Sequence, residues 1–254
     1  GIVDGNRKVL AARLSDARFF WQQDRKKTLA QHAEGLARIT FHEKLGTVAD
    51  KVERVAKLAR WLVENGSVIP IENVDLEGDS ELTTVQLIDV AEKSSRLSKA
   101  DLVTEMVGEF PELQGVMGGY YARAEGLSDA IADAIQGHYG TPQRPGSVAV
   151  ALADKLDTLE QFFRIGEKPT GSKDPFALRR AAIQSLFMIM RGLKLDLQLL
   201  VSDEVIDFII DRWMAQNKAA GGRPDLIAAV RAVTLDGNLY RLGLRMRALE
   251  DLMA

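Results

Sequence analysis

The chain has 254 residues, 46% of them apolar and 27% charged, and its 33 Lys and Arg against 36 Asp and Glu give a formal net charge of −3. That balance is globular and excludes a disordered or fibrous chain, while the net charge supplies no overall field for a polyanion. Cysteine is absent, which removes disulfides, thiolate metal sites and cysteine nucleophiles together, and no apolar stretch approaches the ~20 residues that cross a bilayer. A cytoplasmic chain without membrane segments is therefore expected.

Helical periodicity runs through the sequence. Val9, Leu10, Leu14, Ala17 and Trp21 recur on one face of a first helix reaching about Lys27. Val48, Val52, Val55, Ala59 and Leu62 mark the next, which Asn65-Gly66 stops. Residues 66–80 are acidic, contain Pro70 and Gly78, and read as a loop before a helix over about Ser80–Leu97. Ser98 is placed to cap a helix over Lys99–Phe110, and Pro111 suits the first turn of the one carrying Leu113, Val116, Met117 and Tyr120. Ser128 caps a short helix ending near His138, and a loop follows over residues 140–146. Leu152, Leu156, Leu159 and Phe163 line a further helix. After a polar loop, Asp174-Pro175 signals the start of one whose inward residues are Phe176, Ile183, Phe187 and Met190. Residues 202–218 are helical, and Gly221-Gly222-Arg223-Pro224 breaks the chain before a last helical pair. No segment alternates apolar and polar residues over strand length, so the fold class is all-α.

Basic residues cluster twice. Arg7, Lys8, Arg13, Arg18, Arg25, Lys26 and Lys27 lie together, and so do Arg164, Lys168, Lys173, Arg179, Arg180, Arg191 and Lys194. On charge alone these read as solvated helix faces. Gly115, Gly118 and Gly119 match no phosphate loop and read as a close approach of two helices. His42, Asp101, His138 and Asp154 could converge on a divalent metal in a bundle. Yet Ala100 stands where a hydrolytic site wants a histidine next to Asp101. The alternative is that Asp101 and Asp154 cap helices or pair with Lys99 and Lys155.

A string of longer motifs resembles one family. Ala12-Arg13-Leu14-Ser15-Asp16-Ala17-Arg18-Phe19-Phe20 and Phe41-His42-Glu43-Lys44-Leu45-Gly46-Thr47 come first. Lys99-Ala100-Asp101-Leu102-Val103-Thr104-Glu105 and Leu113-Gln114-Gly115-Val116-Met117-Gly118 follow. Ala153-Asp154-Lys155-Leu156-Asp157-Thr158-Leu159 and Thr170-Gly171-Ser172-Lys173-Asp174-Pro175-Phe176-Ala177-Leu178-Arg179-Arg180 complete the series. In this order, over about residues 5–200, they are similar to the β subunit of bacterial-type heterotetrameric glycyl-tRNA synthetase. The match weakens beyond Ser202.

The resemblance implies an HD-like helical core, a phosphohydrolase fold whose metal motif has decayed, with His42, Asp101, His138 and Asp154 as remnants holding no metal. It implies three parts: residues 1–30, a helix joining a preceding domain; 31–200, the HD-like core; and 201–254, the start of a helical anticodon-binding-type region. The chain is then a central fragment, without a catalytic residue or cofactor of its own, of an α₂β₂ glycine–tRNA ligase. That enzyme uses ATP and Mg²⁺ through its α subunit, and the expected partners are glycine tRNA and the α subunit rather than DNA or membrane. Phosphate contacts carry most nucleic-acid affinity and arginine's planar fork suits them. Lys173, Arg179 and Arg180 are accordingly the expected tRNA-binding residues. Arg179 and Arg180 are about 100° apart on a helix, so one can face the RNA while the other pairs inside.

Overall fold

The structure, a computed structural model, describes residues 2–68, 82–233 and 236–253. Most of the expected acidic loop over residues 66–80 lies outside them. Helices follow the apolar stripes. α1 (Ile2–Asp24) and α2 (Leu29–Ala33) lead through a 3-10 turn (Glu34–Arg38) to a short antiparallel pair, β1 (Thr40–His42) and β2 (Gly46–Thr47). This pair was not legible as alternation because neither strand is long enough to show any. Its return depends on Gly46, which has a φ of +85° and where an added Cβ would fall 2.5 Å from the Asp50 carboxylate.

Thr47 and Asp50 then form a capping box that starts α3 (Val48–Glu64) directly from the strand. α4 (Thr84–Leu97) begins with a second box from Thr83 and Gln86. Ser98 does not cap the next helix as expected. Its hydroxyl donates back to the Ser95 carbonyl, a 3-10 turn (Ala100–Val103) intervenes, and Thr104 caps a short α5 (Glu105–Glu109). Pro111 likewise opens only a 3-10 turn. α6 (Val116–Ala124) starts after Gly115, which has a φ of +82°. Ser128 caps α7 (Asp129–Gly137) as expected.

α8 (Pro145–Arg164) is the central helix, with 16 of its 20 residues buried. It packs against α3, α4 and α7, and against α9 (Leu178–Ile189) and α10 (Asp203–Ala219). α11 (Pro224–Val233) and α12 (Leu239–Met253) close the chain. One apolar cluster runs from Val55 and Leu62 through Leu152, Leu159 and Leu186 to Ile206, Ile209 and Leu242. The core therefore continues unbroken past the expected division at residues 200/201. A second cluster, with Leu29, Val90, Met106, Tyr121 and Ile135, lies beneath α2 and α4–α7.

α1 is anchored at one end only. Trp21 stacks on Tyr121 at 5.1 Å. The buried Asp24 carboxylate accepts from the Glu105 and Met106 amides and from the Tyr121 hydroxyl. Val9, Leu10 and Leu14, expected on an inward face, are 60–70% exposed.

Candidate functional site

The chemistry-bearing residues of this fold meet where α3, α4 and α8 come together. Asp154 projects from the middle of α8 into a nest of ammonium groups. Its Oδ1 lies 3.2 Å from Lys51 Nζ and 3.4 Å from Lys99 Nζ, ion-pair distances at which neither meets it in hydrogen-bond geometry. Lys51, from α3, also donates to the Asp154 carbonyl at 3.2 Å and to Thr158 Oγ1 at 2.6 Å. Lys99 reaches His138 Nε2 at 2.8 Å and lies 3.8 Å from the centre of the Tyr139 ring. Lys155 donates to the His138 carbonyl at 2.8 Å. One turn along α8, Asp157 takes a two-pronged pair from Arg54 at 2.7 and 3.2 Å.

The protonation states follow. Burial would raise the Asp154 carboxyl, but Lys51, Lys99, His138 and Lys155 together hold it below its usual range, so it is ionised. His138 donates from Nδ1 to the Ile135 carbonyl at 2.6 Å, leaving Nε2 to accept from Lys99. Burial first, and the Lys99 charge next, depress its pKa to about 3, so the ring is neutral. Burial also lowers Lys99, against the pull of Asp154, and brings Lys155 down to about 8.

The four residues weighed as a metal set are only partly brought together. His138 and Asp154 meet through Lys99. Asp101 serves the backbone instead, because its Oδ2 accepts the Gly115 and Gly118 amides at 2.6 and 3.0 Å and so caps the start of α6. His42, on β1, accepts the Lys44 amide and packs its ring against Phe162 and Phe176. Among the described residues no three His, Asp or Glu side chains converge on one point. The donor set does not fit a divalent cation, because Lys51 and Lys99 already supply positive charge to Asp154 and Lys99 takes the free nitrogen of His138.

The expected RNA-facing residues separate clearly. A β-bridge between Thr170 and Lys173 closes a tight turn, with Lys173 exposed. The helix begins at Leu178, not at Pro175, because Ala177 is in the left-handed region (φ 54°). Asp174 still caps it from a distance, accepting the Leu178 and Arg179 amides at 2.8 and 3.0 Å. Arg179 bends back and donates to the Gly171 carbonyl at 2.6 Å. Arg180, one residue on, is exposed at the rim of a cleft of about 440 Å³ whose wall includes Lys155, Tyr139 and Phe176. Among the described residues neither Lys173 nor Arg180 has an acidic partner, whereas Lys168, also in the second basic cluster, is paired with Glu204. Phe187, expected to face inward, is 55% exposed. Ala182, Leu186 and Ile189 form the buried face.

The family model described as glycyl-tRNA synthetase beta subunit matches residues 1–232. The chain is 50% identical over 257 residues to the glycine–tRNA ligase beta subunit of Phenylobacterium zucineum, a match covering 98% of this chain and 36% of that protein. It is 42% identical to that of Paracoccus denitrificans, over 99% of this chain and 37% of that protein. It is 52% identical to that of Cereibacter sphaeroides, over 74% of this chain and 26% of that protein. The chain thus spans about a third of the length of such relatives.

Proposed function

The chain belongs to the family of glycyl-tRNA synthetase β subunits, and from that premise we propose that it binds and positions glycine tRNA for a ligase whose α subunit attaches glycine. The enzyme in this reading is α₂β₂, works in the cytoplasm, and uses ATP and Mg²⁺ through the α subunit. In this reading residues 201–254 begin the anticodon-binding-type region, and residues 31–200 face the acceptor side of the tRNA. Among the described residues no helix is long and apolar enough to cross a membrane.

One observation carries the reading. Among the described residues Lys173 and Arg180 stand exposed and without acidic partners on either side of a short capped turn, and Arg164 and Lys194 of the same basic cluster are exposed and without acidic partners too, whereas Lys168 is paired with Glu204. A cation that no carboxylate neutralises keeps its charge for a phosphate. Arg179 is spent on the turn itself, so it acts as a brace that holds Lys173 and Arg180 in place.

Fluorescence anisotropy with labelled glycine tRNA at several salt concentrations tests this. Lys173→Glu and Arg180→Glu should each weaken binding and flatten the logarithmic salt slope by about 1. Arg179→Gln should leave that slope closer to wild type while lowering the melting temperature. Unchanged affinity in both charge reversals would remove the RNA surface and leave this region a scaffold between subunits or domains.

A further inference from the structure

We infer that the outward face of α9 carries an unpaired stretch of the bound RNA, with Phe187 stacking on a base and Arg180, two turns earlier, holding a phosphate of the same strand. The inference rests on the RNA-binding reading above and adds a base contact to its phosphate contacts.

The face is set by what α9 buries. Leu186 and Met188, on either side of Phe187, are buried, so the helix cannot roll its ring inward without drawing them into water. Arg180, Ile183, Gln184 and Phe187 are left on the outer side at spacings of three and four residues. That side is also held still. Gln184 Nε2 donates to the Tyr139 carbonyl at 3.2 Å. Just past the helix, Arg191 donates to the Thr141 and Pro142 carbonyls at 3.1 and 2.7 Å.

The charge of this segment suits a phosphate strand. No Asp or Glu occurs from Pro175 to Leu195, although 36 of the 254 residues are acidic. Within that stretch Arg180 and Lys194 are exposed, and neither has an acidic partner among the described residues. A surface free of carboxylates does not repel a polyanion, and its cations keep their charge for it.

Phe187 supplies what the cations cannot. Of the two phenylalanines more than half exposed, Phe19 lies edge-on to Phe20, whereas Phe187 has no ring or cation partner among the described residues. Its ring is open to a base. A base inside a duplex already has both faces covered by its neighbours, so an unpaired one is needed. Arg180 and Phe187 are ~10 Å apart along the helix axis, a span that a short run of nucleotides covers. Stacking reads no base identity, because every base has a π-face. Gln184, between the two, keeps a second N–H and its carbonyl oxygen and so adds no preference.

Fluorescence anisotropy of the chain with labelled glycine tRNA, an unstructured single-stranded oligoribonucleotide and an RNA duplex of the same length tests this. Phe187→Ala should weaken tRNA and the single strand about tenfold and leave the duplex unmoved. It should keep the wild-type salt slope, because no charge is lost. Phe187→Leu, which retains apolar bulk without a ring, should weaken binding nearly as much, and Phe187→Tyr should bind as wild type does. In Phe187→Trp, single-stranded RNA should quench an exposed indole that the wild type lacks. Circular dichroism melts show whether each variant is folded.

Wild-type tRNA affinity in Phe187→Ala, with Arg180→Glu still weakening it, would overturn the stacking and leave the Lys173 and Arg180 surface standing. Leucine serving as well as phenylalanine would make the contact mere apolar cover and overturn the stacking too. Equal losses on single strand and duplex would overturn the choice of an unpaired strand. A chain that binds neither tRNA nor the single strand at low salt would remove the RNA-binding reading itself, and this inference with it.

Discussion

Asp154 and its lysines show how a polar cluster survives inside an apolar helix pack. Lys51 is 4% exposed and Lys155 equally so, and each is tolerable only because its charge is matched and its protons have acceptors. Removing the carboxylate alone is the severe change. Asp154→Ala leaves Lys99 and Lys155 without a counter-ion and Lys51 with only Asp157, which Arg54 already engages, and should cost about 3–5 kcal/mol of unfolding free energy in urea titrations. His138 provides a second test at this scale. In the fold it stays neutral down to about pH 3, while the unfolded chain takes up a proton near its ordinary value of 6.5. The unfolded state thus binds more protons between those limits, and stability must fall as pH drops through that window, by up to about 1.4 kcal/mol per unit. The urea midpoint should decline from pH 7 to 5.5, and His138→Gln should flatten that decline. The lysines were half visible in the sequence. Lys51 follows Val48 by three and precedes Val55 by four, which puts it on the buried stripe of α3, and Lys155 stands likewise between Leu152 and Leu159. Reading only the apolar residues of those stripes concealed a charge placed to be paired.

Elements were legible where a stripe of three turns or more left no alternative, as in α3 and α8. They were less so where a tertiary contact decided the matter. Asp174 was a sound start signal, yet it caps from four residues away because Ala177 interposes a left-handed residue. Ser98 has the chemistry of a cap but spends its hydroxyl on Ser95, and Thr104 takes the role. The glycine cluster, by contrast, was read correctly from composition. Cβ atoms at Gly118 and Gly119 would fall 2.7 Å from Ile135 and from Gln136 on the facing α7. The two helices close on each other only because nothing projects there. Gly119→Val should force them apart and destabilise the fold by about 1–3 kcal/mol, the range for overpacking a filled interface. Gly126→Ala is a useful contrast, since its cost would come from a φ of +78° with nothing within 4 Å of the added carbon. If Gly119→Val unfolds at the wild-type midpoint, the close approach is not what holds α6 on α7.

The molecule as a whole folds around α8, and this has a consequence for how it comes apart. Family resemblance divides the chain near residue 200, but Val205, Ile206 and Ile209 of α10 bury themselves in the cluster that contains Leu156, Leu159 and Leu186. A helix bundle whose last members complete the core of its first cannot lose them in a separate step without exposing that core to water. Three tryptophans are placed to report this. Trp21 lies on Tyr121 at the anchored end of α1, Trp61 is on α3 against the main cluster, and Trp213 is on α10 within it. Phe replacements that leave one tryptophan at a time should therefore give urea transitions that coincide with one another and with the loss of helical circular dichroism. The exposed half of α1, with Val9, Leu10 and Leu14 in solvent, can fray earlier, but it carries no tryptophan and should register only as a shallow sloping baseline in the dichroism. A Trp213 transition well below that of Trp61 would show residues 201–253 to be an autonomous unit that merely touches the rest. Coincident transitions would mean that a cut at residue 200 leaves Leu186, Ile189 and Leu195 uncovered, and a chain ending there should aggregate rather than fold.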